Sequence, residues 1–352
     1  MNYEILPDFK LTKARVYAPD LPNRCEDLLS GESSGLLNWA DTAHPEFYDT
    51  YMSGLESHWT ADEVNLTNDQ KEFPSLPEPI RVAAKSIIGL LSGLDSAATR
   101  NLLEVLLYVK DPAIWANGAM MAKEEAEHNR SYHIIVSNVL SRSEEVEVFE
   151  TPLKNELLLE RNQKMMDVFN DFSVNKTPNS MLNFLAHDTV LEGIFFYSGF
   201  AFFYGMARTK KLIGMTTEIN YINRDEQRHT RIICDIYRSI LQEHPELNTE
   251  ERHQSIIDIF VDAVEKELAW CKHILAAVPG MDMVEIEHYL KYRANKIMSL
   301  LGYPKYFADV DENNILWIKR YEDNFDGNKT DFFEQKNRQY SKPLAINGFD
   351  EL

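Results

Sequence analysis

Cysteine is scarce in this chain. Cys25, Cys234 and Cys271 lie far apart among 352 residues, form no CxxC pair and leave an odd number. Such a set excludes a disulfide framework and fits a reducing compartment, so the expected location is cytoplasmic. Positive charge is also short: 36 basic residues face 56 acidic ones, for a net charge of -20. That balance repels phosphate backbones and anionic lipid surfaces, which argues against a nucleic-acid partner. Long hydrophobic runs are missing too. The most apolar run, GIFFYSGFAFFYG at 193–205, is too short to cross a bilayer, and the start MNYEILPDFK lacks the basic and apolar regions of a signal peptide. No membrane segment is expected.

No strand-type alternation persists, and glycine and proline, 14 of each, fall mostly at segment ends. Helical periodicity fills the rest, which predicts an all-α fold with long helices near 46–57, 78–109, 112–140, 155–172, 178–209, 215–244, 250–278 and 282–301. Pro112 and Thr177-Pro178 read as helix starts, and Pro279-Gly280 and Gly302 as stops. Residues 141–154 and 173–177 read as polar connections. No linker divides two cores, so residues 1–320 are expected to form one domain. From about 321 the composition turns polar and poor in aliphatics, which predicts a flexible tail over 321–352.

One stretch breaks the helical pattern chemically. Residues 123–135, KEEAEHNRSYHII, set Glu124, Glu125, Glu127 and His128 between core-type segments. Glu125 and His128 stand three apart, which on a helix places two side chains about 5–6 Å from each other on one face. Glu226 and His229 repeat the spacing. An ExxH alone is weak, since Glu250/His253 and Glu285/His288 match it as well; the 250 pair opens a polar helix and reads as solvated. Two isolated acids strengthen the first two pairs: Asp95 in IIGLLSGLDSAATR and Glu192 in TVLEGIFFYSGF. An ionised carboxylate buried in such surroundings costs several kcal/mol unless a cation meets it. Asp95 stands 30 residues before Glu125, and Glu192 stands 34 before Glu226. The chain thus writes acid, turn, ExxH twice, on what should be successive antiparallel helices. A four-helix bundle so built converges four carboxylates and two imidazoles, a donor set suited to two divalent first-row metals. Glu124 and Asp225, each one turn from a histidine, could share the face, and Asp188 could compete with Glu192.

These residues resemble the small, radical-generating subunit of class I ribonucleotide reductase, from about Trp59 to the tail. The resemblance implies a ferritin-like helical bundle with six metal ligands, Asp95, Glu125, His128, Glu192, Glu226 and His229, holding two divalent ions of iron, manganese or both. It implies a radical tyrosine at Tyr132, four residues after the first histidine, inside an apolar sleeve matching Phe196, Phe200 and Ile222. It implies a relay through Asp225, which would accept the free N–H of His128, and Trp59, then on to a tail tyrosine at Tyr340, with Tyr321 as the other downstream tyrosine. The gap from Asp95 to Glu125 is one residue shorter than the family pattern, which a deletion near Lys110-Asp111 would absorb. The partners implied are a second copy in a homodimer, a large subunit docked through the tail and its apolar end at Phe349 and Leu352, and a flavodoxin-like activator. Two other classes compete: a dimetal oxidase or monooxygenase of the same fold, and a helical iron-storage or scaffolding protein.

Overall fold

The computed structural model describes residues 9–323. Among these residues there are twelve α-helices and no strand: α1 Pro45–Glu56, α2 Thr67–Glu72, α3 Glu78–Leu106, α4 Pro112–Val139, α5 Arg142–Lys154, α6 Glu156–Val174, α7 Pro178–Val190, α8 Tyr197–Arg208, α9 Ile213–Glu243, α10 Glu250–Leu275, α11 Met283–Leu301 and α12 Leu316–Asp323. A π-helical turn, Leu191–Phe195, joins α7 to α8. The architecture is a ferritin-like helical bundle. Its core pairs α3 with α4 and the α7–α8 helix with α9, and α4 and α9 also touch each other; α10 and α11 pack outside.

The chain ends its helices by local chemistry. Asp111 accepts the N–H of Ala113 at 2.7 Å and Pro112 takes the first position of α4, where its missing N–H costs nothing. Thr177 caps α7 with Pro178 behind it. Gly302 closes α11 at φ 93°, a left-handed backbone that a side chain would strain. The start of α9 is capped from a distance: both oxygens of buried Asp69 accept, from Gly214 N at 3.0 Å and Met215 N at 3.1 Å. A Cβ on Gly214 would stand 2.6 Å from that carboxylate, so glycine is required for the approach.

Three expectations need correction. Residues 142–154 are a helix rather than a connection, because Ser141 and Glu144 form a reciprocal capping box that starts α5. The tail does not begin at 321: α12 runs through Tyr321 and Glu322, and Glu322 is buried against Arg293, Lys296 and Tyr289. Finally, the apolar run at 193–205 belongs to a continuous 31-residue segment, Pro178–Arg208, which is long and apolar enough to cross a membrane by length and composition. Its most apolar window is wholly buried inside the protein, which is how the core helix of a bundle reads.

Candidate metal centre

Glu125 and His128 project from α4 and Glu226 and His229 from α9, one helical turn apart in each pair, while Asp95 comes from α3 and Glu192 from the π turn. All six are buried, with 2 % exposure or less. Their donor atoms fall into two groups, each with all atoms within 4.8 Å of one another: Asp95, Glu125, His128 and Glu226, and Glu125, Glu192, Glu226 and His229. Glu125 and Glu226 belong to both groups, as bridging carboxylates would. The connection 107–111 joins α3 to α4, and Asp95 lies in the cluster.

The donors lack ordinary partners. Both oxygens of Asp95, Glu125 and Glu226, Oε2 of Glu192 and Nδ1 of both histidines are buried without a well-directed hydrogen bond. The histidines meet the carboxylates as close ion-pair contacts: His128 Nδ1 lies 3.0 Å from Glu226 and 3.6 Å from Glu125, and His229 Nδ1 lies 2.8 Å from Glu125 and 3.3 Å from Glu226. Polar atoms orphaned at such depth are costly unless a cation collects them. Four carboxylates also balance the charge of two divalent ions, so the residues fit a dinuclear carboxylate-and-imidazole site. Burial, then the charge of Glu125, raises the Asp95 and Glu192 carboxyls well above their usual range. Burial opposes a proton on His128 and His229, yet the facing carboxylates raise both well above the usual imidazole value. The cluster therefore attracts positive charge strongly.

Each histidine turns its other nitrogen outward onto a carboxylate. Nε2 of His128 lies 3.3 Å from Oδ2 of Asp225, and Nε2 of His229 lies 2.9 Å from Oε2 of Glu124. The Arg228 guanidinium donates to both carboxylates, at 3.0 Å and 2.7 Å, and so ties the two outer partners together. Such partners set imidazole orientation and basicity. Glu124 thus grips His229 from outside the donor cluster, and nothing in the sequence singles out Arg228, because pairing across two helices leaves no local signal. Asp188 is buried nearby and accepts from Asn101 at 3.3 Å, outside both donor groups; burial pushes its carboxyl up to about 7. Glu285 accepts from Trp317 and His288 accepts from the Asp311 N–H, both away from the cluster, and His253 packs on Tyr303.

Tyr132 is fully buried one turn beyond His128, and its hydroxyl faces the Asp95 carboxylate without a well-directed hydrogen bond. Burial, then the Asp95 and Glu226 charges, raises its phenol well above the ordinary value. Phe196, Phe200 and Ile222 are all fully buried, and the two phenylalanine rings stack at 6.0 Å. Trp59 Nε1 donates to Oδ2 of Asp225 at 2.7 Å, the oxygen that faces His128, and the indole stacks on the His128 ring at 6.0 Å. A small depression lined by His58, Lys123 and Glu127 lies over Trp59. Tyr340, Phe349 and Leu352 lie outside the described residues, while Tyr321 stacks on Tyr204 at 5.2 Å.

The π turn has its own supports. Arg161 from α6 donates to the Phe195 carbonyl at 3.3 Å and pairs with Glu267 at 2.7 Å; Arg293 from α11 donates to the Gly193 carbonyl at 3.1 Å and pairs with Glu322. A π turn shifts the helical hydrogen-bond ladder, and these two guanidinium groups satisfy carbonyls within it.

A helical bundle around such a donor set defines the class: a ferritin-like protein with a buried carboxylate–histidine cluster compatible with a dinuclear metal site. The family model "Ribonucleotide reductase, small chain" matches residues 36–314, and this chain belongs to that family. A ribonucleoside-diphosphate reductase subunit beta from Halalkalibacterium halodurans is 39 % identical over 344 residues, covering 97 % of this chain and 99 % of the relative. The solved ribonucleotide reductase R2 subunit of Clostridium botulinum superposes with a TM-score of 0.86 at 26 % identity, over 89 % of this chain and 99 % of that one. The dimanganese(II) NrdF protein of Streptococcus sanguinis shares the fold, with a TM-score of 0.71 at 22 % identity over 82 % of this chain and 99 % of that one. The activity is accordingly that of a ribonucleoside-diphosphate reductase small subunit, an oxidoreductase.

Proposed function

We propose that this small subunit generates and stores a one-electron oxidant at Tyr132 and passes it to a large subunit, where ribonucleotide reduction occurs. The observation that carries the reading is the orphaned donor cluster of Asp95, Glu125, His128, Glu192, Glu226 and His229, with a sealed tyrosine one turn from His128 whose hydroxyl faces Asp95. Two divalent ions, iron, manganese or a mixed pair, would be held by these six residues and would supply the oxidising equivalents when bound. The dimanganese neighbour makes manganese a concrete candidate beside iron.

The surrounding side chains have distinct tasks in this reading. Glu124 and Asp225 fix the two imidazoles with Nδ1 inward, and Arg228 donates to both carboxylates and braces them. Phe196, Phe200 and Ile222 keep water and reductants from the tyrosine. Asp225 and Trp59 form the path outward, since one carboxylate oxygen joins indole N–H and imidazole. Tyr340 would carry the oxidant onward in a tail, 324–352, that docks the large subunit through Phe349 and Leu352. Two copies of the chain forming a homodimer, a flavodoxin-like activator and a cytoplasmic location complete the proposal.

The test is electron paramagnetic resonance on metal-reconstituted protein, with metal content measured in parallel. Tyr132→Phe should keep both ions and lose a tyrosyl signal; Trp59→Phe should keep ions and signal but lose turnover with the large subunit. A wild type with full activity and no tyrosyl signal would overturn the role of Tyr132.

A further inference from the structure

Residues 9–44 contain no helix and run across the bundle as a strap. Backbone hydrogen bonds fasten it: Leu11 N to Lys176 O at 2.8 Å, Ala14 N to Leu107 O at 2.8 Å, and Lys110 N to Leu28 O at 2.9 Å. Where the strap crosses the end of α9, Leu28 N donates to Oε2 of Glu243 at 2.6 Å, and four chemically matched side chains meet: Asp27 from the strap, His44 from the start of α1, and Glu243 and His244 from the end of α9. Donor atoms of Asp27, Glu243 and His244 all lie within 4.8 Å of one another, and Nε2 of His44 stands 3.9 Å from Oε1 of Glu243.

Two features separate this group from a set of surface ion pairs. First, Nε2 of His44, Nε2 of His244 and Oε1 of Glu243 are sealed from solvent and have no hydrogen-bond partner, on side chains only 14 %, 12 % and 13 % exposed. Second, both imidazoles are already oriented from outside. Nδ1 of His244 meets Glu246 at 3.1 Å and Nδ1 of His44 meets Glu46 at 3.4 Å, so each ring turns its free nitrogen toward the cluster. A histidine held by a carboxylate on one nitrogen and free on the other is the arrangement of metal-binding imidazoles, and the central cluster shows it too.

The spacing agrees. His244 Nε2 to Asp27 Oδ1 is 3.5 Å and His44 Nε2 to Glu243 Oε1 is 3.9 Å, too long for good hydrogen bonds. Bonds of about 2.0–2.2 Å in tetrahedral array put neighbouring donors roughly 3.3–3.6 Å apart; these two pairs stand near that spacing, and His44, outside the mutually close group of three, would move in to complete the array. Charge agrees as well: among the described residues, no lysine or arginine pairs with Asp27, Glu243, Glu46, Glu246 or nearby buried Asp111.

We propose that Asp27, Glu243 and His244, with His44 as the fourth donor, form a mononuclear site for a zinc-class divalent ion that clips the strap to the end of α9. Two imidazoles and two carboxylates suit zinc or cobalt. The site is structural, and it is independent of the dinuclear reading.

Zinc uptake from micromolar solution by full-length protein tests it, followed by dialysis and metal analysis, in wild type and in Glu226→Ala, where the central cluster loses a shared carboxylate. In both backgrounds His244→Gln and Glu243→Gln should each lower bound zinc by about one equivalent per chain. Zinc should also slow proteolysis within 9–44 severalfold in wild type and leave the rate unchanged in His244→Gln. Cobalt in the Glu226→Ala protein should give the intense visible bands of a tetrahedral site, lost on adding His244→Gln. Circular dichroism verifies folding, and His44→Gln replaces any variant that fails to fold. Equal zinc in Glu226→Ala with and without His244→Gln, or a difference only at millimolar zinc, would overturn the site.

Discussion

In the bundle centre, His128 and His229 are wholly enclosed, turn one nitrogen inward and rest the other on Asp225 and Glu124. At the strap crossing, His44 and His244 do the same against Glu46 and Glu246, but with 14 % and 12 % of their side chains exposed and on the ends of elements rather than mid-helix. The same local arrangement therefore sits in two environments. In the centre, continuous helices fix every donor and the low dielectric makes each unpaired charge expensive, so a cluster there dominates its surroundings. At the crossing, Asp27 is 36 % exposed and also caps its own turn, accepting from the N–H groups of Leu29 and Ser30, so solvent and local bonds share the charge. Burial, more than donor identity, decides how much each cluster matters to the fold.

The largest effect expected from breaking this comparison is Glu226→Ala. Losing a carboxylate shared by both donor groups should abolish binding of at least one central ion by metal analysis, with helicity retained. Arg228→Met should come next. It leaves Glu124 and Asp225 without their common cation, so central metal affinity should fall about 10–100-fold in a competition titration. Arg228→Lys should recover part of that loss, which a merely space-filling role would not require.

A smaller effect follows from proton binding. His128 and His229 hold protons more tightly in the folded chain than in the unfolded one, where the value is 6.5. Their stabilisation is fully present below that value and is lost as pH rises through the raised folded values. Asp95 and Glu192, raised from 3.8 and 4.5, act in the same direction over a window that begins lower. Metal-free protein should therefore melt at lower temperature as pH climbs from roughly 6.5 to 8.5, and metal loading should remove the slope because ions displace those protons.

The smallest effect belongs to the crossing. Burial, with Asp27 and Asp111 nearby, pushes the Glu243 carboxyl up to about 7 from 4.5, against the Leu28 N–H. Glu243→Gln removes that charge. At pH 8 without metal it should raise the melting temperature by roughly 1–2 °C, since the Leu28 N–H already offsets part of the penalty. A large drop instead would show that the ionised carboxylate anchors the strap unaided.

Local rules carried a good part of this structure. Helical period, the Pro112 and Thr177-Pro178 starts and the Gly302 stop mark elements that the folded chain contains, because each depends on residues within one or two turns. The one missed long element, α5, had its signal in Ser141 and Glu144, outweighed by a polar composition. The π turn at Leu191–Phe195 left no signal, because Arg161 and Arg293, which hold its carbonyls, stand 34 and 100 residues along the chain from the carbonyls they meet.

By itself the sequence determined that six carboxylates and imidazoles would be set on apolar helices at spacings that share a face, since i to i+3 geometry and the cost of burying charge are local facts. Tertiary structure alone decided the rest. It made Glu125 and Glu226 common to both donor groups, brought Arg228 between Glu124 and Asp225, buried Glu322 at the root of the tail and set Asp27 against Glu243 and His244. Each of these joins segments distant in the chain, and their partners are chosen by packing and charge neutralisation in three dimensions, which no linear spacing encodes.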